Sequence, residues 1–384
     1  MVKNLEISVG GGYSPSQHRD LKIDLLKGMG ILLMVFRHTE APYSEFVLLF
    51  HMALFFIASG YLLDPSKIVS IKSLIDYVIK KIRGLWLPYF GFMTIFVVLH
   101  NLFLKIGFLT NNPMYLEEYT GRYAILSYPY NKIKILKELL KSAFFRGTEQ
   151  LGGALWFFYA LFLLTVGYST IGFILDRIIK NRKYVNWIQG IISSLFLLIG
   201  YYLHIKGKKL YGFDRFFSFY CLLFIGQMMR ETLDKIYKAF RPMSVFLISL
   251  GCLLCLKPFG HIDLSANNIE NPLYFLVVSI AGWFLICSLA IIMEEKQFRG
   301  TRVIAYLSVH SVPIVGLHFV SFKIVSGLCI CVENMNTYML AAFPVLMHGW
   351  WWIAYFISGI AIPLLLDEFY CRAKKEIKLL LKNS

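Results

Sequence analysis

Charged residues are scarce in this chain of 384 residues, because Asp, Glu, Lys and Arg together make up only 16% of it. Hydrophobic residues account for 57% and aromatic residues for 16%, and the mean hydropathy is +0.61. A composition this apolar excludes an ordinary water-soluble domain. It also excludes intrinsic disorder, since disordered chains lack the Phe, Leu and Ile that are abundant here.

Several familiar motifs are also missing. The sequence has no Gly-rich phosphate-binding loop, no zinc-type His motif and no heptad repeat. It shows no internal repeat of the kind that transporters carry. None of the function classes that these patterns indicate is therefore favoured.

Cysteine occurs in an odd number, and most of the seven lie inside apolar runs. This pattern does not indicate a disulfide framework. Cys252 and Cys255 form a CxxC pair within SVFLISLGCLLCL, but no second ligand pair lies nearby, which favours buried packing thiols over a zinc or redox site. Cys329 and Cys331 could be oxidised if they face an oxidising compartment, and their spacing leaves this open.

The net charge of +16 would suggest nucleic-acid binding in a soluble protein. No compact basic face with interleaved aromatic residues occurs outside the apolar runs, so we expect no nucleic-acid partner. The basic residues lie in the connections, where Lys and Arg hold loops in the cytoplasm and contact anionic lipid headgroups. The runs Lys80 to Arg83, Arg177 to Lys183 and Arg372 to Lys382 are typical of stop-transfer and lipid-contact segments.

Crossing the bilayer core of ~30 Å requires about 20 mainly apolar residues. By that measure the sequence predicts an all-α, polytopic membrane bundle of about ten transmembrane helices. The runs 216–229 and 244–257 are short, so these helices would tilt little or be longer than their hydropathy indicates. The ten predicted spans lie near residues 23–43, 46–63, 85–104, 152–175, 187–204, 216–229, 244–257, 273–293, 303–322 and 344–366.

An even number of spans places both termini on one side of the membrane. With both termini in the cytoplasm, most of the 39 Lys and Arg residues lie in inner connections, as the positive-inside rule requires. The predicted organisation is a cytoplasmic segment 1–22, a membrane domain 23–366 and a basic cytoplasmic tail 367–384. The long connection 105–151 would lie outside, as a lid or as an amphipathic surface helix formed by NKIKILKELLKSAFF.

Polar side chains enter the first predicted helix, which reads DLKIDLLKGMGILLMVFRHTEAP and contains Arg37 besides the residues discussed below. Charged groups at membrane depth cost roughly 2.5–3.5 kcal/mol each, so they usually line a cavity or pair with a partner. Lys27 and His38, eleven residues apart, differ by about 20° around the helix axis and by about 16 Å in height. Asp24 can pair with Lys27 on this face, although a snorkelling ion pair at a helix end has the same sequence pattern.

His38 is followed by Glu40 and is faced by His51, because only a short hairpin separates the first two predicted helices. Two imidazoles and a carboxylate near one pocket suit general-base chemistry, since imidazole titrates near neutral pH. Metal binding by these three residues is the alternative, but nothing fixes a further ligand and the spacing matches no metal motif. We therefore expect no metal.

At these residues the sequence resembles acyltransferase family 3, polytopic membrane enzymes that acylate hydroxyls of surface carbohydrates. In that family a basic residue, commonly Arg, precedes a His by eleven positions, as Lys27 precedes His38. The resemblance covers nearly the whole chain through five segments in the family's order. The other four segments are FHMALFFIASGYL, KKIRGLWLPYF, ALWFFYALF around Trp156 and Phe157, and YLSVHSVPIVGLHF, which resembles a late helix of the family that ends in a His, here His318. The chain departs from the family at Ala53, where Pro is usual, and at Ser308 and His310, where Gly and Asn are common.

The resemblance implies an acyl-CoA donor made in the cytoplasm, with acetyl-CoA as the first expectation. Its anionic head would meet Lys27 and Arg83, with Asp24 beside them. Lys27 retains the charge of the family's Arg but lacks its planar, bidentate fork.

The resemblance also implies that His38 takes the proton from a glycan hydroxyl as this hydroxyl attacks the thioester. A route through a transient acyl-imidazole is the alternative. His51 and Glu40 would orient His38 or the acceptor, and His318 is a weaker candidate for the same pocket.

The implied partners are acyl-CoA, a glycan or lipid-linked sugar acceptor, membrane lipids and the machinery of polysaccharide synthesis, in the cytoplasmic membrane of the cell. A transporter or flippase of a lipid-linked sugar or small organic anion would also place polar groups in an apolar bundle. Transporters carry broken helices in two related halves, whereas the polar residues here cluster in the first two spans. A non-catalytic subunit of glycan export would carry the same motifs.

Overall fold

The computed structural model describes residues 20–383, apart from residues 120, 122, 180, 347 and 348. Helix accounts for 79% of the structure, so the predicted all-α class is confirmed. A short antiparallel pair, β1 (Ile262–Asp263) and β2 (Asn268–Ile269), lies in one connection. Residues 1–19 of the predicted segment 1–22 lie outside the described residues.

The helices follow one another with few long connections. A π-helical turn, Ile82–Trp86, joins α4 to α5, and a 3-10 turn, Gln150–Leu155, leads into α9. The first eight helices are α1 (Leu21–His38), α2 (Ser44–Leu48), α3 (His51–Leu62), α4 (Ile71–Lys81), α5 (Leu87–Val98), α6 (His100–Lys105), α7 (Met114–Glu118) and α8 (Lys132–Ala143). The others are α9 (Trp156–Ile178), α10 (Arg182–Ile205), α11 (Phe213–Ala239), α12 (Pro242–Leu256), α13 (Pro272–Glu295), α14 (Thr301–Val309), α15 (Ser311–Glu333) and α16 (Trp352–Asn383).

Eight segments of the described chain are long and apolar enough to cross a membrane, which makes this a multi-pass membrane protein. Two further predicted spans fall on α1 and α11, which are more polar helices. Both still pack inside the bundle, α1 against α3, α13 and α14, and α11 against α3, α9 and α10. The count of ten spans stays a prediction. The eight segments are Ser44–Leu62, Ile71–Val98, Gln150–Ile178, Arg182–Ile205, Pro242–Phe259, Pro272–Glu295, Ser311–Glu333 and Gly349–Ile377.

The bundle has two ends, which we name after the residues that bound α1. At the Asp20 end, Asp64 follows α3 and forms an ion pair of 3.1 Å with Arg230 near the end of α11. At the His38 end lie the turn between α1 and α3, the starts of α9 and α11, and the β1–β2 pair, because Arg215 donates a hydrogen bond to Ser265 O. The prediction from the charge distribution places the Asp20 end in the cytoplasm.

Several predicted spans have different boundaries in the structure. The first, predicted at 23–43, ends at His38, because the chain turns at Thr39 and Glu40. The sixth, predicted at 216–229, is part of the longer helix α11. The third, predicted at 85–104, belongs to a helix that starts at Ile71, so the basic run Lys80 to Arg83 lies inside the helix. The ninth, predicted at 303–322, is broken at His310, and its apolar part is α15, which extends to Glu333. His318 therefore lies inside a helix and not at its end.

The tenth predicted span, 344–366, also differs. Residues 342–346 are not helical, and α16 begins at Trp352 and continues to Asn383, so most of the predicted tail 367–384 is helical. An ion pair of 2.6 Å between His310 and Asp367 connects α16 to the break between α14 and α15.

The segment Leu340–Leu346 contains the end of a 3-10 turn, Thr337–Ala341, and the irregular backbone after it, and buried side chains hold it in place. Lys323 donates to Leu340 O at 3.1 Å and to Ala342 O at 2.7 Å. Tyr119 donates to Phe343 O at 2.8 Å and to Val345 O at 3.1 Å, and the Tyr355 hydroxyl accepts from Leu346 N at 3.3 Å. Irregular backbone within a membrane bundle requires such partners, because no water is available to satisfy it.

The long connection 105–151 contains α8 where the sequence pattern predicts a helix. Asn131 caps this helix by accepting a hydrogen bond from Lys134 N at 2.8 Å. Trp86 donates through Nε1 to Ala143 O at 2.9 Å, which ties the end of α8 to the start of α5. The lid and the surface helix both stay predictions for this connection.

All seven cysteines are free thiols. Cys252 is half-buried and Cys255 is exposed. The predicted burial of this CxxC pair is therefore wrong for Cys255, because that side of α12 faces away from the bundle.

Helices α3 and α11 approach each other closely through two glycines. A Cβ at Gly226 would overlap the carbonyl oxygen of Ile57, and a Cβ at Gly60 would overlap that of Leu223. Small residues are the usual means by which membrane helices come this close.

We expect the substitution Gly226→Ala to lower the stability of the bundle by about 1–3 kcal/mol, because the backbone of α3 must move away. The matched control is Gly251→Ala in α12, where a Cβ meets no atom within 4 Å. Thermal unfolding in detergent should show a lower midpoint for Gly226→Ala and no loss for the control. Equal midpoints would contradict the close contact.

Candidate active site

Helix α1 carries two of the residues that the sequence singles out, Lys27 in its second turn and His38 at its end. Asp20 caps the helix by accepting a hydrogen bond from Lys22 N at 3.1 Å. Gly28 lies directly against α14, where a Cβ would overlap the carbonyl oxygen of Ile304. Because α1 is continuous, Lys27 and His38 share one helix face as predicted.

Three imidazoles gather at the His38 end. The ring of His38 is stacked on that of His318, with centroids 5.2 Å apart and an interplanar angle of 29°. His51 is close enough to His38 for an electrostatic interaction. His51 and His318 are buried, with 3% and 0% of their surface exposed, whereas His38 is partly exposed. His38 is therefore the most exposed member of this histidine cluster.

Backbone hydrogen bonds fix the tautomers of the two buried rings. Nδ1 of His51 lies 2.9 Å from Val47 O, and Nδ1 of His318 lies 2.9 Å from Ile314 O. A carbonyl oxygen only accepts, so Nδ1 carries the proton in both rings and Nε2 keeps a lone pair. Nε2 of His318 is buried without a hydrogen-bond partner.

His38 differs from its two neighbours, because none of the residues that the structure describes gives its ring a hydrogen bond. Its contacts are the stack on His318 and an edge contact with Phe319, at a centroid distance of 4.9 Å. None of the described residues therefore fixes the tautomer of His38.

Glu40 does not act on His38 directly. It accepts a hydrogen bond from Arg37 at 3.0 Å, and Glu45 accepts another from the same guanidinium at 2.9 Å. The backbone of Glu40 has a φ of 52°, a left-handed conformation that costs a non-glycine residue energy and makes the turn after α1 tight. In the described chain, no group of three or more His, Cys, Asp or Glu side chains is placed to hold a metal ion.

A second polar group lies next to the cluster at the His38 end. The Arg215 guanidinium lies 5.2 Å from the centre of the Trp156 ring, and its Nε is buried without a partner. The buried Asp263 carboxylate interacts electrostatically with both Arg215 and His51. Asp263 also accepts hydrogen bonds from Ser265 N and Oγ, which orders the β1–β2 turn.

Residues 20–368, nearly the whole chain, match the family model Acyl_transf_3, which is described as an acyltransferase domain. The chain belongs to acyltransferase family 3. The resemblance given by the five sequence segments is confirmed, and the protein is an acyltransferase. Neither a curated protein nor a solved structure matches it.

At the Asp20 end of the acyltransferase, Lys27 faces a residue that the sequence did not single out. The ammonium group of Lys81 lies close enough to Lys27 for their like charges to interact, and it also lies 5.1 Å from the centre of the Tyr77 ring. Arg83 is exposed on the π-helical turn. Asp24 accepts a hydrogen bond from Ser308 at 3.4 Å.

The same end of the acyltransferase has a cavity of about 510 Å³. Among its cations, Arg182 binds Asp176 at 2.7 Å and Arg230 binds Asp64 at 3.1 Å, while Arg177 lies 5.2 Å from the centre of the Phe173 ring. Lys27 and Lys81 do not line this cavity.

Sequence reasoning did not single out Lys81 or Arg215, whereas it named His318 as a weaker candidate for the pocket of His38, next to which it lies. Lys81 belongs to a run of basic residues that was interpreted as a lipid-contact segment. The contact of Arg215 with Trp156 joins segments that are far apart in the chain, and no local pattern indicates it.

Proposed function

We propose that this acyltransferase moves an acyl group, acetyl in the first instance, from a cytoplasmic acyl-CoA to a hydroxyl of an exopolysaccharide or other envelope glycan. His38 is the general base of this reaction. The single observation that carries the proposal is the histidine cluster, in which the partly exposed ring of His38 lies near two buried rings with fixed tautomers.

The chemistry requires one proton acceptor beside the attacking hydroxyl. His38 takes the hydroxyl proton while the hydroxyl oxygen bonds to the thioester carbon, and it returns this proton to the sulfur when the carbon–sulfur bond breaks. The Nε2 lone pair of His318, buried and without a partner, can accept a hydrogen bond from the protonated ring or from the acceptor hydroxyl. His51 has the same capacity, and both neighbours stabilise the geometry without taking the proton themselves.

The donor side of the proposal rests on the cations of the Asp20 end. The ammonium groups of Lys27 and Lys81 are close enough for their charges to interact, and two positive charges in one region favour the binding of an anion. The phosphates of CoA supply such an anion, and Arg83 and Asp24 are assigned to the rim of the same site. Lys27 also lies below His38 on the same helix, which aligns the donor head with the reacting end.

This assignment includes an orientation. We place ten helices across the cytoplasmic membrane of the cell, with the Asp20 end and both termini inside, as the distribution of Lys and Arg favours. Acyl-CoA then enters at the Asp20 end and the glycan at the His38 end, and His38 lies between them.

The acceptor side is supported by unused hydrogen-bonding groups near the cluster. Arg37 Nε and Arg215 Nε are buried donors without partners, and Asn267 Oδ1 and His318 Nε2 are buried acceptors without partners. A mixture of donors and acceptors suits sugar hydroxyls, which both donate and accept. Trp156, partly exposed beside Arg215, offers an aromatic surface to a sugar ring.

The test is label transfer by the purified acyltransferase in lipid nanodiscs, with radiolabelled acetyl-CoA on one side and an envelope glycan as acceptor. We expect labelled glycan from the wild type and a raised donor KM for Lys27→Met, by roughly 10-fold, because one phosphate-binding charge is lost. The matched control is Lys67→Met, which removes a highly exposed lysine at the same end of the bundle. Absence of labelled product with every acceptor would refute the proposal, and an unchanged donor KM would remove Lys27 from the donor site.

A further inference from the structure

A buried pair of titratable residues, His100 and Glu149, lies at the His38 end outside the histidine cluster. His100 begins α6, directly after the apolar helix α5, and Glu149 directly precedes the turn Gln150–Leu155. Their exposed fractions are 3% and 7%, and Nδ1 of His100 lies 3.0 Å from Oε2 of Glu149. The pair thus joins the helix that leads into the long connection 105–151 to the end of that connection.

The hydrogen bonds of His100 fix how many protons the pair holds. Nε2 lies 3.1 Å from Tyr128 O, which only accepts, so Nε2 must carry a proton. Nδ1 faces a carboxylate, so a second proton must lie between Nδ1 and Oε2, on one atom or the other. The arrangement therefore contains one shared proton more than a neutral imidazole and a carboxylate would hold. Without it, a lone pair and a negative charge would face each other at 3.0 Å in a buried site.

The surroundings hold this pair rigidly. The Tyr130 ring is stacked on His100 with centroids 3.5 Å apart and an interplanar angle of 5°. Asn101 clamps the same tyrosine, accepting from Tyr130 N at 2.7 Å and donating to Tyr130 O at 2.8 Å. A change in the pair is thus transmitted to the loop that contains Tyr128 and Tyr130.

The other titratable groups nearby do not supply or remove this proton. Burial and the Glu149 carboxylate raise the pKa of the Tyr130 phenol, so it stays neutral. Lys134, 5.5 Å from the centre of the Tyr130 ring, is bound to Glu138 at 3.0 Å. Burial raises the pKa of Glu138, but hydrogen bonds from Lys141, Lys134 and Thr148 outweigh this effect and hold the pKa below its usual value. Glu138 is therefore an anion that is already bound by these three groups.

The pair positions residues that pack beside the histidine cluster, and we call Phe319 and Phe343 the wall of this cluster. Glu149 O accepts from Gly152 N at 3.0 Å and so starts the turn Gln150–Leu155. The next residue, Gly153, lies against Phe343 and Phe319, to which a Cβ would be 3.0 and 3.4 Å away. Phe319 in turn contacts the His38 ring. The turn also leads directly into Trp156.

We propose that the proton shared by His100 and Glu149 holds the turn Gln150–Leu155 against the histidine cluster, so that both are positioning residues for acyl transfer. The inference rests on the proposed function for its readout. When the hydrogen bond between the two residues is lost, the turn shifts and the acceptor wall is misplaced. A misplacement of about 1 Å can cost up to 100-fold in rate.

The decisive variant is Glu149→Gln. Its amide donates through Nε2 to the Nδ1 lone pair of a neutral His100, while His100 Nε2 still donates to Tyr128 O, so both hydrogen bonds persist without the shared proton. We expect Glu149→Gln to keep a transfer rate close to that of the wild type, because it restores the bridge. Glu149→Ala, which cannot bridge, should transfer label roughly 10-fold more slowly, with the acyl-CoA KM unchanged. The control is Glu118→Ala, which removes an exposed carboxylate of the same connection and should keep the wild-type rate.

A second measurement covers the case in which Glu149→Gln does not fold. Limited proteolysis within residues 106–131 should be faster in Glu149→Ala than in the wild type, because the bridge from His100 to the end of this connection is missing. Equal transfer rates for Glu149→Ala and the wild type, or equal rates of proteolysis, would overturn the inference. Label transfer by the wild type at neutral pH would still stand in that case, so the proposed function fails only if transfer itself is absent.

Discussion

The substitution His38→Gln should lower the rate of acyl transfer by about 10²–10⁴-fold, the usual contribution of a general base. Glutamine fills a similar volume and keeps a polar group beside His318, but its amide cannot take a proton at neutral pH. The acyl-CoA KM should change little, because the donor head is assigned to the Asp20 end. Label transfer to glycan, followed over the first turnovers, measures the effect.

Two control variants separate this role from a loss of folding. His204→Gln replaces a histidine in the last turn of α10 that is not part of the histidine cluster, and this variant should retain the wild-type rate. His51→Gln, which keeps a group able to hydrogen bond near Val47 O, should lose less activity than His38→Gln. A His38→Gln protein that transfers label at the wild-type rate would remove His38 from the mechanism and with it the assignment of the cluster.

The sequence contains enough information for the helical class and for the position of His38. Both depend on local patterns. An apolar run of about 20 residues predicts a membrane-spanning helix. Two residues that are eleven positions apart on one helix lie on the same face. Lys27 and His38 were therefore placed correctly on α1. The helical run of α8 was also readable, because its apolar residues recur at helical spacing.

The boundaries that were wrong have a common physical cause. Hydropathy ends a span at the first charge, so the ninth predicted span stops at Phe322, directly before Lys323. In the structure α15 continues to Glu333, and Lys323 is buried within it. In the same way the third predicted span omits α4, because an amphipathic helix has a low mean hydropathy. Conversely, the tenth predicted span includes residues 344–346 because they are apolar, although they form irregular backbone.

The contacts of the candidate site could be predicted only in part. Glu40 and His51 were expected to orient His38, but Glu40 binds Arg37 while His318, the weaker candidate, stacks on His38. The contact between His38 and His318 arises from tertiary packing between residues that are far apart in the chain, and a single sequence holds no local pattern for such a pair. Glu40, by contrast, binds Arg37 within the same turn.

A second large effect is expected from Lys323→Met, a substitution of similar length inside α15. Lys323 is 1% exposed, and its ammonium group is the donor for both Leu340 O and Ala342 O. Losing a donor leaves each of two buried carbonyls unsatisfied at a cost of roughly 1–3 kcal/mol. Part of this loss is offset, because methionine needs no desolvation of a charge. We therefore expect stability to fall by about 2–5 kcal/mol.

The consequence should reach the active site, since the same segment carries Phe343. The Phe343 ring lies 4.6 Å from that of Phe319, which contacts His38, so a loosened Leu340–Leu346 segment moves the wall of the histidine cluster. Lys323→Met should thus lower both the midpoint of thermal unfolding and the rate of label transfer. The control is Lys296→Met, at an exposed position after α13, which should change neither. An unchanged midpoint for Lys323→Met would mean that Tyr115, Tyr119 and Tyr355 hold the segment without the lysine.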